Sequence, residues 1–238
     1  MNRSEFYRQR ILFITGFLLV MLFSVCEKKG TDPEPEGSRP FVIENLGVRF
    51  GPWNRDTNLA GDFYFTSSLT RIMNAFGTEA LDPQGNIKIL PTMDFYISED
   101  APVLAVSEGK VVRLVYQEEN NDYEFSIQSL NDPDFDIVYD HLTDLEIGLE
   151  DSVQPGDTLG HPRPLYGQIG FVEIMVNNSE TGLSYCPFVF FNQETRPLYI
   201  QKVTQLMEDW ETFKGDTTIY NQQNHIISGC RIESIVTY

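Results

Sequence analysis

Six stretches between residues 93 and 174 decide the fold of this chain: MDF (93–95), APVLA (101–105), EGKVV (108–112), VYDHL (138–142), VQPGDTLG (153–160) and GFVEI (170–174). Most are apolar runs of strand length separated by turn residues. Pro155 and Gly156 stand where a type II turn favours Pro and Gly. The region therefore predicts short β-strands joined by turns, including a hairpin between residues 110–116 and 123–128.

The order and spacing of these stretches resemble those of the lysostaphin-like, or LytM-type, peptidoglycan endopeptidases. In that family an Asp is followed by a β-hairpin, a Y-x-H-L strand, a V-x-x-G-D-x-x-G turn and a closing H-x-H-F-E strand. The resemblance runs from residue 94 to residue 173. It implies a mainly β (α+β) fold, the duplicated hybrid motif, built as a β-sandwich or barrel with flanking segments and one amphipathic C-terminal helix.

The resemblance also assigns the zinc ligands of the family to three positions of this chain. The family uses a His four residues before the Asp, the Asp itself and the second His of the closing strand. Asp94 matches the Asp, but Leu90 and Phe171 occupy the two histidine positions. A catalytic zinc needs three protein donors, so we expect no metal, no cofactor and no catalytic residues. Asp94, His141 of the Y-x-H-L strand and Glu173 remain as vestigial candidates.

The vestigial candidates also have structural interpretations. Asp94 is expected to accept hydrogen bonds from the backbone at a strand edge. His141 shares strand parity with Ile137 and Tyr139, so we expect a packed, hydrogen-bonded His beside Asp94 rather than a catalytic base. Glu173 is expected to be a structural carboxylate. These interpretations favour a binding or structural role over catalysis.

Two alternatives would keep a metal in this region. In the first, His161, in the loop before the closing strand, or His225 replaces a lost ligand and rebuilds a metal site. In the second, Asp94, Asp140 and Glu173 form an oxygen-rich cluster suited to calcium. Both alternatives stay open from the sequence.

The N-terminus, residues 1–25, has the pattern of an export signal. Three arginines in the first ten residues precede an apolar run of about 15 residues, which is shorter than the about 20 that a spanning helix needs. Cys26 follows, where bacterial lipoproteins carry their acylated cysteine, although Phe23 and Val25 depart from the usual lipobox. We expect a signal peptide, lipidation at Cys26 and a tether over residues 26–38. An uncleaved anchor is the alternative.

The two remaining cysteines are Cys186 and Cys230. In an oxidising compartment they are expected to form a disulfide, which would stabilise the fold by closing a loop of about 45 residues. Two buried free thiols are the alternative.

The composition narrows the class of partner. The chain has 238 residues, 17 Lys+Arg and 35 Asp+Glu, which gives a formal net charge of −18. Hydrophobic residues make up 41% and aromatic residues 13%, so the chain is not intrinsically disordered. The excess of acid excludes nucleic acid and a polybasic membrane-surface patch, because both need clustered Lys and Arg.

The predicted organisation is a signal peptide (1–25), a tether (26–38), an N-terminal flanking segment (39–89), a peptidase-like β domain (90–180) and a C-terminal extension packed on it (181–238). In the extension, apolar residues at spacings of three and four run from Ile200 to Phe213, after Pro197 and before Gly215. This pattern predicts an amphipathic helix. A second, short helix is predicted over residues 67–76.

These observations support one functional hypothesis and two alternatives. The first is an exported, membrane-anchored lipoprotein with a catalytically inactive peptidase-like domain that binds or scaffolds at the cell envelope. Its partners would be the membrane, through the lipid anchor, and cell-wall peptide or glycan or an envelope protein. The second is an active metallopeptidase acting on peptidoglycan or peptides through displaced ligands. The third is a carbohydrate- or ligand-binding lipoprotein of unrelated β fold, in which an exposed Trp53 stacks on sugar.

Overall fold

The computed structural model describes residues 40–82 and 84–236. The predicted signal peptide, Cys26 and the tether lie outside the described residues. The strands are β1 (Leu59–Ala60), β2 (Phe63–Tyr64), β3 (Met73–Asn74), β4 (Glu79–Leu81), β5 (Ile87–Ile89), β6 (Met93–Ser98), β7 (Val103–Leu104), β8 (Gly109–Gln117), β9 (Asp122–Ser129), β10 (Phe135–Thr143), β11 (Ser152–Val153), β12 (Thr158–Tyr166), β13 (Ile169–Asn178), β14 (Leu183–Tyr185) and β15 (Ser234–Val236). Helix α1 spans Thr195–Lys214. Within the described ranges, no helix is both long and apolar enough to cross a membrane.

Eleven of these strands form one antiparallel sheet, which confirms the mainly β class. Strands β8 and β9 form the predicted hairpin, and β10 pairs with β9. Strand β13 pairs with β10 on one side and with β6 on the other. Strand β3 extends the sheet beyond β6, while β14 and β15 extend it from β13. The sheet therefore contains residues of both flanking segments as well as of the peptidase-like region.

The period-two alternation of β6 and β13 decides which side chains share a face. Phe95 of β6 and Val172 and Ile174 of β13 are buried in the hydrophobic core. Because successive side chains of a strand point to opposite faces, Asp94 and Glu173 lie on the face away from that core. The two strands are paired, so the carboxylates are brought to the same place on the sheet.

The predicted late helix is confirmed. Helix α1 buries Val203, Leu206, Met207 and Trp210, which lie at spacings of three and four. The indole of Trp210 packs edge-on against Phe65, with ring centroids 5.1 Å apart. The helix ends at Gly215, whose φ of 65° is the left-handed conformation that favours glycine at a helix end.

The predicted helix over residues 67–76 is wrong. The segment contains turns and the short strand β3, which pairs with β6. The backbone N–H groups of Ile72 and Met73 donate to the hydroxyl of Tyr220, at 2.9 and 3.2 Å. A partner about 150 residues away therefore satisfies donors that a helix would have used, and local spacing does not reveal such a partner.

A disulfide joins Cys186 to Cys230, the first of the two states that the sequence left open. Cys230 also forms an isolated bridge with Phe76, and the N–H of Arg231 donates to the carbonyl of Phe76 at 2.9 Å. The end of the C-terminal extension, at Cys230 and Arg231, is thereby attached both to the start of the same extension and to the N-terminal flanking segment.

Candidate functional site

Three carboxylates lie side by side on neighbouring strands. Asp94 of β6 is paired with Glu173 of β13, and Glu173 is paired with Asp140 of β10. Asp94 accepts a hydrogen bond from the Thr92 hydroxyl at 2.5 Å and one from the Asn74 amide at 3.0 Å. Its partners are side chains, so the prediction that Asp94 accepts backbone hydrogen bonds is wrong.

Burial favours retention of a proton in the row formed by Asp94, Glu173 and Asp140, called the carboxylate row below. It raises the pKa of Glu173, and the charges of Asp94 and Asp140 raise it further, to about 8. Burial is also the main cause that raises the pKa of Asp94 and of Asp140. Because the pKa of Glu173 lies above 7, this side chain is largely a neutral acid at neutral pH.

His141 leaves its predicted parity because β10 contains a bulge. The register between β10 and β9 shifts between Tyr139 and Leu142, and both of these residues are buried. His141 lies between them with a φ of 66°, a conformation uncommon outside glycine. Its Nδ1 lies 2.6 Å from Oδ2 of Asp122. His141 is therefore packed and hydrogen-bonded, as expected, with Asp122 as its partner, but the predicted parity with Tyr139 is wrong.

Asp122, the first residue of β9, is the central residue that the sequence analysis missed. Its side chain has no exposed surface. Oδ2 faces His141 and also lies 3.4 Å from Nε of Arg163, an ion-pair distance without hydrogen-bond geometry. Oδ1 has no hydrogen-bond partner among the residues that the structure describes. The only sequence signal is an Asp at the start of a strand, directly after two asparagines, and that pattern is typical of any turn.

Aromatic and cationic groups surround Phe171. The centroid of its ring lies 5.0 Å from that of Tyr96 and 5.1 Å from that of His141. The guanidinium carbon of Arg163 lies 6.0 Å from the same centroid, a cation–π distance. The position that corresponds to the second zinc-binding His of the LytM-type enzymes is therefore occupied by a packed hydrocarbon ring with a permanent positive charge beside it.

The residues at the family's ligand positions do not fit a zinc ion. Of Leu90, Asp94 and Phe171, only Asp94 has a donor atom, and both of its oxygens already accept hydrogen bonds. Zinc sites in proteins use four ligands, of which three come from the protein when the site is catalytic. One carboxylate with both oxygens engaged does not meet that requirement.

A different group of donors converges nearby. Within the described ranges, one set of three His, Cys, Asp or Glu donors lies within 4.8 Å of one another, namely Asp122, Asp140 and His141. Protein contacts already engage these atoms, because His141 faces Asp122 while Oδ1 of Asp140 accepts from the Gln117 amide at 2.8 Å. Neither His161 nor His225, the replacement ligands that the sequence left open, belongs to the set.

The predicted calcium cluster does not form either. Asp94, Glu173 and Asp140 follow one another across three strands, and of the three only Asp140 belongs to the set of donors that converges in the described part of the chain. A calcium site needs six to eight oxygens around one centre. The row therefore lacks the geometry of such a site.

Trp53 differs from the sequence expectation of an exposed sugar-binding residue. Its ring stacks on Phe65, with centroids 5.5 Å apart, and Phe213 of α1 meets it edge-on at 5.8 Å. Arg55 covers the ring at 5.0 Å from its centroid. The indole is partly buried against the core, so it does not present a free stacking surface.

The chain is similar to solved peptidase domains of the lysostaphin type. Similar solved structures include the catalytic domain of the antimicrobial peptidase lysostaphin from Staphylococcus simulans (23% identity, 49% of this chain and 87% of that one, TM-score 0.38). Another is a zinc-containing peptidase from Vibrio cholerae (18% identity, 57% of this chain and 38% of that one, TM-score 0.38). A third is Csd3 from Helicobacter pylori (14% identity, 76% of this chain and 45% of that one, TM-score 0.44).

The match covers part of the larger relatives. The chain spans about half the length of lysostaphin as solved in solution, 48% of that chain. No family model matches the sequence, and no curated protein matches it.

Proposed function

We propose that this protein is an exported, membrane-anchored lipoprotein whose peptidase-like domain has lost zinc catalysis and binds peptide or glycan of the cell envelope. One observation carries the loss of catalysis. Phe171, with Tyr96, His141 and Arg163 packed around it, stands where a metal ligand is required. Lipidation at Cys26 and export rest on the sequence pattern of the N-terminus.

The charge at this centre supports the same proposal. In an active site of this family a divalent cation would compensate the surrounding carboxylates. Here Arg163, which is always charged, approaches the buried Asp122, and Glu173 retains its proton because of its raised pKa. The negative charge is therefore reduced by groups of the chain itself, without a metal.

The surface beside Phe171 offers contacts for a neutral ligand. Tyr166, at the end of β12, is 50% exposed, and it follows Arg163 on the same strand. Burial raises the pKa of Tyr96, with Asp94 and Glu173 adding to the effect and Tyr166 making a smaller contribution. Tyr166 pairs with Ile169 and Tyr96 with Phe171, so the two tyrosines lie on the strands that flank the first residues of β13. An exposed ring next to a half-buried one is suited to stacking against a sugar or a peptide side chain.

Metal analysis tests the loss of catalysis. The full chain, purified in non-ionic detergent, incubated with zinc and desalted, is expected to retain far less than one zinc per chain by mass spectrometry. The variant Asp94→Ala is expected to retain the same low amount. Stoichiometric zinc that disappears in Asp94→Ala or His141→Ala would overturn the proposal. It would favour the metallopeptidase alternative, for which the convergence of Asp122, Asp140 and His141 is the supporting observation.

Co-sedimentation with purified peptidoglycan sacculi tests binding. The wild-type protein is expected to sediment with the sacculi without reducing their turbidity. Tyr166→Ala should weaken binding about threefold to tenfold, the range for losing one aromatic stacking contact. The control is Tyr116→Ala, because Tyr116 is similarly exposed (48%) but packs on Tyr123 of the β8–β9 hairpin. Equal weakening by both variants, or no sedimentation of the wild type, would contradict the assignment of this surface.

A further inference from the structure

A pocket of about 100 Å³ lies between residues near β3 and the C-terminal extension, away from the candidate site. Its charged or titratable side chains are Arg71, His225 and Arg231, together with the phenol of Tyr220. Among the described residues, no Asp or Glu lines the pocket. In a chain with a formal net charge of −18, a pocket lined by cations without a carboxylate is a local reversal of charge.

The cations of this pocket have no anionic partner in the described part of the chain. The ion pairs there involve Lys110, Arg113, His141 and Arg163, and they include neither Arg71 nor Arg231. His225 Nδ1 is buried without a hydrogen-bond partner among the described residues. Burial lowers the pKa of His225, and the charges of Arg231 and Arg71 lower it further. The missing ion pairs and the effect of the two arginines on His225 indicate a positive potential, and the unpartnered Nδ1 leaves a buried polar atom for a ligand.

The two arginines of the pocket come from different segments of the chain, and backbone contacts fix both segments. Arg71 directly precedes Ile72, whose N–H is fixed by the Tyr220 hydroxyl at 2.9 Å. Arg231 directly follows the disulfide-bonded Cys230, and its N–H donates to the carbonyl of Phe76 at 2.9 Å. Since both backbones are fixed, binding of a ligand would need to order only the side chains and not the main chain, which limits the entropy cost.

We propose that this pocket binds an oxyanion, a carboxylate or a phosphate group, between the guanidinium groups of Arg71 and Arg231, with Nδ1 of His225 as a third contact. The planar donor fork of a guanidinium matches two oxygens of either group. Nδ1 of His225 would then gain the partner that it lacks. The site lies outside the carboxylate row and the Phe171 cluster, so it adds a ligand-binding function that does not depend on the peptidase-like centre.

Calorimetric titration of the full chain in non-ionic detergent at low salt tests the proposal, with inorganic phosphate and acetate as probes. Saturable binding of at least one probe is expected, and preference between the two identifies phosphate or carboxylate as the natural group. Arg71→Gln and Arg231→Gln should each weaken binding by about tenfold or more, as expected for a lost charge-assisted contact. The matched control is Arg196→Gln, because Arg196 is an exposed arginine on α1 and should change the affinity less than twofold.

Two outcomes would overturn the proposal: no saturable binding of either probe, or equal weakening by Arg196→Gln and the pocket variants. Arg71 is exposed, so its substitution is expected to leave the fold intact even if Arg231→Gln, next to the disulfide, does not. Circular dichroism of each variant distinguishes lost binding from lost structure. Binding of sacculi through Tyr166 is measured separately, so failure of one site leaves the other assignment standing.

Discussion

Between pH 4.5 and pH 8 the protein is expected to lose stability on the order of 4 kcal/mol because of Glu173 alone. Burial, together with Asp94 and Asp140, raises the pKa of Glu173 from its ordinary 4.5 to about 8. In this window the folded chain holds a proton that the unfolded chain has released. The contribution of Glu173 to the free energy of unfolding is therefore fully present below about pH 4.5. It falls with rising pH until Glu173 also ionises in the folded state, near pH 8.

Urea unfolding at half-unit steps from pH 5 to pH 8 measures this slope. Glu173→Gln removes the titration and keeps the shape, so its stability should depend much less on pH and should exceed that of the wild type at pH 8. Glu180→Gln is the control, because Glu180 is exposed in the turn that follows β13 and should leave the slope unchanged. An equal slope in wild type and Glu173→Gln would mean that Glu173 is not the group that retains the proton.

Replacement of Asp122 by Ala is expected to cost about 3 kcal/mol of unfolding free energy. The substitution leaves His141 and Arg163 facing a buried space without their shared anion. His141 also loses the hydrogen bond that accompanies its left-handed backbone conformation, so the bulge of β10 should become less stable. The estimate lies at the low end for a broken buried ion pair because the side chains of His141 and Arg163 both retain some contact with water.

Chemical denaturation of Asp122→Ala, His141→Ala and the double variant measures this effect. In a double-mutant cycle the two changes should be strongly non-additive, since they remove the same contact. Asp134→Ala is the control, because Asp134 is exposed and should change stability by less than about 0.5 kcal/mol. A cost below about 1 kcal/mol for Asp122→Ala, or additive single changes, would refute the central role of Asp122.

The sequence predicted the parts of the fold whose signals are local. Helix α1 has its apolar period and its terminal Gly215 within 20 residues, and the hairpin of β8 and β9 has its turn between two apolar runs. The resemblance correctly placed Asp94 and Glu173 in the same region, because the order of the strands determines which residues become cross-strand neighbours.

The sequence did not predict the parts that depend on one-residue shifts or on remote partners. A single bulge changes which side chains of β10 face inward, so the parity of His141 with Tyr139 failed at that point. The role of Asp122 can be recognised only once β9 is placed beside β10, because its partners come from β10 and β12. The prediction of a helix over residues 67–76 failed for the same reason, since Tyr220, which binds the backbone of this segment, is remote in sequence.

The large sheet includes strands from both flanking segments, which limits how the region of residues 90–180 can be transferred to another protein. If residues 90–180 were transplanted alone, β6 would lose β3, and β13 would lose β14 along its last three residues. Unpaired strand edges of this kind promote association between chains. Residues 90–180 are therefore not separable from the rest of the sheet, and the smallest transferable unit must include both flanking segments, with the disulfide that lies within the C-terminal one.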